Sequence, residues 1–102
     1  PFIYTGFKPA FVLIKVVDGN TGGWDLYDSA RAIDNPAKER LQINATSAEA
    51  TSDDIDILSN GFKIQGAWGG DLNYDSGTPI YIYAAWAHQP EHNLYGGQSN
   101  AR

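Results

Sequence analysis

The sequence predicts an all-β domain, a compact antiparallel β-sandwich of jelly-roll-like type, with about seven short strands and long loops. Two short apolar runs bracket the chain, FVLIKVV at 11–17 and PIYIYAAWA at 79–87. β-Branched and aromatic residues in runs this short read as strands buried on at least one face. Between them, alternation of apolar and polar residues is the only periodicity, and no window sustains a helical stripe over three turns. Eleven glycines and five prolines supply the turns that many short strands need. The opening and closing runs are both apolar enough to meet in one core.

Taken in order, FIYT at 2–5 reads as a short edge strand, and Gly6-Phe7-Lys8-Pro9 turns the chain. Pro9 suits the start of a strand, because it cannot donate to a ladder from the middle of one. The run at 11–17 is the first strong strand. The turn cluster DGNTGG at 18–23 and the strand WDLY at 24–27 complete a hairpin with a loop longer than two residues. Asn35-Pro36 has the form of a helix N-cap followed by a first helical residue, so one helical turn is predicted over 37–40. LQIN at 41–44 alternates as a strand, and 46–52 is a loop with at most one helical turn behind its capping-box pattern.

The clearest hairpin pairs DIDIL at 54–58 with FKIQ at 62–65. Asn60-Gly61 tolerates positive φ at both central turn positions. In register, Ile55, Ile57, Phe62 and Ile64 face inward, while Asp54, Asp56, Lys63 and Gln65 face water. A long loop follows over 66–78, then the last strand at 80–87, then a polar tail. The predicted core is Phe11, Leu13, Val16, Leu26, Ile43, Ile55, Ile57, Phe62, Ile64, Ile80, Ile82 and Trp86. Leu13 and Val16 cannot share a face of one regular strand. That strand is therefore buried on both faces, which implies a subunit or domain contact, or it is bulged.

Composition narrows the function. The 102 residues make one β-domain. The absence of cysteine excludes disulfides and thiolate chemistry. With net charge −5 and seven scattered basic residues, nucleic acid is not an expected partner. No apolar run approaches the roughly 18 residues that cross a bilayer, so membrane insertion is not expected either. Beginning at Pro1 with no methionine anywhere, the chain reads as a piece of a longer polypeptide.

Several segments in this order resemble a module at the distal, C-terminal end of tailed-phage tail-fibre and tail proteins. They are TGFKPAFVLIK at 5–15, WDLYDSAR at 24–31, DILSNGFK at 56–63, YIYAAWA at 81–87 and NAR at 100–102. The match spans essentially the whole chain. It departs at 87–95, AHQPEHNLY, and in the 66–78 loop, which is richer in acidic and aromatic residues than the pattern. The resemblance implies a virion protein located outside the cell. It further implies a homotrimer in contact with other tail proteins and with a host-surface glycan or receptor. It brings no catalytic residues. The second reading is a purely structural fibre cap, or a capsid or tail decoration, joining subunits.

Four sets of residues carry candidate chemistry. Trp68, Asp71, Asn73 and Tyr74 sit together in the glycine-rich loop, where flat rings can stack on sugar faces and the polar side chains can bond hydroxyls. Asp71, Asn73 and Asp75 space oxygen ligands as a calcium loop does, which makes a structural Ca2+ the one cofactor the pattern allows. Against it, the glycine falls one position late for an EF-hand, and Ile82 stands where a bidentate carboxylate belongs. HQPEH at 88–92 spells H-x-x-E-H, but Pro90 breaks the helix that zinc hydrolases need and no third ligand follows. Trp24 reads as half core and Trp86 as core. No pair of carboxylates is placed for glycoside hydrolysis, and no serine has a base and acid partner. The chain is read as a non-enzyme.

Overall fold

The computed structural model of the chain describes residues 1–18, 23–65 and 80–87, without the side chains of 52–54. It is all-β and antiparallel. The strands are β1 (Phe2–Tyr4), β2 (Pro9–Val16), β3 (Asp25–Asp28), β4 (Ala37–Gln42), β5 (Ala50–Leu58), β6 (Gly61–Ile64) and β7 (Tyr81–Ala87). They form one seven-stranded sheet in the order β1-β6-β5-β4-β3-β2-β7. The sheet curls into a half-barrel, so its two halves face each other as the layers of a sandwich do. Strand β4 belongs to both halves. Ala37, Glu39 and Arg40 pair with β5, while Leu41 and Gln42 pair with β3.

The core lies between the halves. Val12, Ile14, Val16 and Tyr27 come from one side, and Ala37, Ile55, Ile57, Phe62 and Ile64 from the other. The β5–β6 hairpin keeps the predicted register, with Ile55 opposite Ile64 and Ile57 opposite Phe62. Its turn differs. Leu58 pairs with Gly61, so Ser59 and Asn60 make the turn and Gly61 opens β6. The glycine is required for space rather than for φ. A Cβ on Gly61 would lie 2.0 Å from the carbonyl oxygen of Ile3 in β1. Positive φ is used at Gly6, at 81°, where the chain leaves β1.

Three predicted elements are corrected, the first being the 46–52 loop, whose last three residues open β5 (Ala50–Leu58). Residues 37–40 are strand, not helix, and Asn35-Pro36 is a cis peptide bond rather than an N-cap. The Asn35 amide donates to the Ile57 carbonyl at 2.8 Å and accepts from the Ile57 N–H at 2.9 Å. That pair of bonds ties the approach to β4 onto β5, where Ala37 sits opposite Ile55. Ladder partners in β5 outweigh the local helix signal. The strand predicted at 41–44 ends at Gln42, and Ile43 is exposed in the turn beyond it.

The facing of β2, β3 and β7 is also corrected. Val12, Ile14, Val16 and Tyr27 point inward, so Phe11, Leu13 and Leu26 lie on the outer face, half-buried. Val16 is in the core as predicted. Ile80, Ile82 and Trp86 are exposed, and Tyr81 and Ala85 are the β7 residues packed against the core. Strand β2 is thus fully buried on one face and half-buried on the other, with a register shift between Pro9 and Phe11. A one-residue change in facing exchanges every side chain of a strand between faces. Where both faces are apolar, the pattern alone cannot choose between them.

Candidate functional site

Opposite residues in an antiparallel ladder project to the same face. On the outer face this builds two apolar rows. Leu13 lies between Leu26 and Ala84, and Leu26 is followed by Leu41. Beside that row Phe11 stands between Trp86 and Asp28. The Phe11 and Trp86 rings are 4.5 Å apart at 44°, a tilted contact that fixes the indole on the strand surface. Trp86 remains 49% exposed there. Its sequence reading as a core residue is overturned by facing, not by a lack of packing. Trp24, just before β3, is half-buried as predicted.

A second feature is the open side of the half-barrel. The edge strands β1 and β7 stand on either side of a cleft of about 340 Å3 lined by Pro1, Ile3, Ile14, Ile64, Tyr81 and Tyr83. The Tyr83 ring meets Phe62 edge-on at 5.3 Å, which joins the two halves across the cleft. The exposed large apolar residues include Phe2 and Tyr4 of β1 and Ile82, Tyr83 and Trp86 of β7. Among the described residues, five of the nine exposed large apolar side chains therefore lie on the strands at the sheet's two ends, and Val17, Ile33, Ile43 and Ile80 lie outside strands.

Polar side chains concentrate at the turn after β3. Asp28 Oδ1 accepts from the N–H groups of Ala30 and Arg31 at 3.0 and 2.7 Å, and Oδ2 accepts from Arg31 Nε at 2.5 Å. Arg31 Nη1 reaches Glu49 at 2.5 Å, so one guanidinium clamps this turn to the segment before β5. Burial pushes the Asp28 carboxyl up, but the bonds from Arg31 and Ala30 and the guanidinium charge outweigh it and hold the group below its usual range. Burial likewise opposes the charge on Arg31, and the two carboxylates override it. A smaller cleft of about 200 Å3 lies between Arg31 and Glu39. Inside the sheet, Asp25 is 1% exposed, accepts from Gln42 at 3.3 Å and lies 3.8 Å from Arg40 Nε. The sequence reading missed both groups. The D-x-x-R spacing of Asp28 and Arg31 was the available signal for the first.

The predicted ligand residues Trp68, Asp71, Asn73 and Tyr74, the metal set Asp71, Asn73 and Asp75, and His88 and His92 lie outside the described residues. Among the described residues, no three His, Asp or Glu side chains are grouped to hold a metal ion. Among the same residues, no helix is long and apolar enough to cross a membrane.

A family model described as a domain of unknown function, DUF7483, matches residues 1–90. The chain belongs to that family. No curated protein and no solved structure matches it.

Proposed function

We propose that this domain is a structural component of a phage virion, the terminal module of a tail fibre. It assembles there as a homotrimer beside other tail proteins, outside the cell. The support that carries the reading is the placement of exposed apolar surface. A monomer that works alone rarely leaves a contiguous apolar patch on a solvent-facing strand surface. Here Trp86, Ile82, Phe2 and Tyr4 are left exposed on strands, and Phe11, Leu13 and Leu26 form a half-buried apolar face beside Trp86. That is the surface of a body built to sit against other protein. The motifs at 5–15, 24–31, 56–63 and 81–87 point to which assembly this is.

In this reading the 66–78 loop meets the host. Trp68 and Tyr74 offer rings to a surface glycan, and Asp71 and Asn73 offer acceptors to its hydroxyls. Weak contacts of this kind gain avidity when three copies act together. The module carries out no turnover. The second reading, a purely structural cap or decoration, is favoured by the same apolar strand surfaces, which speak for subunit contact and not for a receptor. Trp68→Ala separates the two. Loss of adsorption to host cells with normal particle assembly supports recognition. Loss of assembly supports the structural cap. Mass spectrometry of purified virions that finds no peptide of this protein overturns both.

A further inference from the structure

We infer that the open side of the half-barrel is where copies of this chain join, with β7 of one copy pairing along β1 of the next. This rests on the oligomeric fibre reading and assigns it a surface. The first observation is charge. Each of the five interior strands carries at least one charged residue: Lys15 in β2, Asp25 and Asp28 in β3, Lys38, Glu39 and Arg40 in β4, Asp56 in β5, and Lys63 in β6. The two edge strands, FIY and YIYAAWA, carry none. Soluble proteins do the reverse. They place lysine, proline or a bulge on an edge to stop it templating another strand. A seven-residue edge with high β-propensity and no such guard is built to be paired.

The second observation is which groups need covering. Among the described residues, Ile82–Trp86 of β7 is laddered to β2 on one side and to no strand on the other. Strand β1 is laddered to β6 alone. Phe2 and Tyr4 are 49% and 70% exposed, and Ile82 and Trp86 are 45% and 49% exposed. Self-pairing of β7 about a two-fold axis would leave β1 with its apolar residues in water. Pairing β7 with a neighbour's β1 covers the whole of β1 and about three residues of β7 with one contact.

The third observation is position. Both edges flank the same apolar cleft, lined by Ile3 on one side and Tyr81 and Tyr83 on the other. Copies arranged with their open sides turned toward a common axis bring that lining together as they pair their edges. A head-to-tail contact closes only as a ring. Three copies give the ring that a fibre tip requires.

The test uses the full chain and two variants at exposed edge positions, Tyr4→Lys and Ile82→Lys, each with its fold checked by far-UV circular dichroism. Sedimentation equilibrium should give the wild type three times the 11.1 kDa chain mass and each variant a single chain mass. An equimolar mixture of the two variants should recover a dimer. In that mixture one partner keeps a sound β1 and the other a sound β7, so one junction forms and no ring closes. In hydrogen exchange, the β7 amides of the wild type should be protected, and that protection should fall in both variants. A wild type that remains monomeric overturns the proposal, whatever segment covers the edges instead. So does a Tyr4→Lys variant that keeps the wild-type mass, which is the result of β7 self-pairing. These masses are read on purified protein. A trimer that is absent from virions would refute the fibre reading and leave the edge pairing standing.

Discussion

Gly61→Ala is expected to loosen the first strand while leaving the hairpin it sits in intact. The added Cβ would lie 2.0 Å from the Ile3 carbonyl oxygen and 3.0 Å from the carbonyl carbon, with Tyr4 Cα at 3.2 Å. All three are backbone atoms, so no side chain can swing away. Real Cβ contacts stay above 3.0 Å, and β1 must therefore retreat by about 1 Å. The strand is held by register pairs at Phe2, Ile3 and Tyr4 and by the bond from Ile64 N–H to the Pro1 carbonyl at 2.8 Å. Each ladder bond contributes about 1 kcal/mol net. Ile3, packed on the core, adds about 1–2 kcal/mol for its partial burial. Against this, alanine restricts the unfolded chain and returns about 0.4–1 kcal/mol. With about two of these bonds lost, the balance is a loss of about 2–4 kcal/mol. Urea unfolding followed by tryptophan fluorescence should move its midpoint down by about 1–2 M with little change in slope. Hydrogen exchange should show the amides of β1 losing protection while Ile55 and Ile57 keep theirs. An unchanged midpoint, or a variant in which β5 and β6 loosen first, would refute the close approach of β1 as the reason for this glycine.

Two further outcomes follow from packing and charge. The folded Asp28 carboxyl titrates below its unfolded value, so the stability it contributes is complete above about pH 4, the unfolded value, and is lost as pH falls through its lower folded value. Asp28→Asn should flatten acid unfolding below about pH 4, and equal acid profiles for the two proteins would contradict the Arg31 clamp. Ile14→Ala should cost about 2–5 kcal/mol, as a fully buried truncation does. Trp86→Ala should cost less, because the half-exposed indole loses mainly its contact with Phe11, worth about 0.5–1.5 kcal/mol beyond area. Chemical denaturation of both variants decides it, and a larger loss at Trp86 would reverse the facing of β2 and β7.

The elements that could be read from the chain are those whose two faces differ. DIDIL and FKIQ alternate cleanly, so their pairing, their turn region and the inward set of Ile55, Ile57, Phe62 and Ile64 follow from period two alone. Strands β2 and β7 are apolar on both sides, and there alternation carries no sign. Val12, Ile14 and Val16 face inward because the opposite half supplies Ile55, Phe62 and Ile64 to meet them. Strand β4 reads as AKERLQ, with good helix formers after an Asn-Pro, and only its neighbours on both flanks make it extended. The site divides the same way. Trp68 and its loop companions stand out by composition and lie outside the described residues. The outer apolar rows needed the facing of β2 before they could be located. Asp25 and Arg40 needed the register that brings Gln42 opposite Asp25. Distant pairing, absent from any local window, decides both the outer rows and the Asp25 group.

Strand β4 gives its first residues to one half of the sheet and its last two to the other. No loop intervenes where the halves part, so there is no slack in which one layer could open while the other holds. Heat or force reaching Ala37 is passed within a few peptide units to Leu41. The body should therefore come apart in a single step.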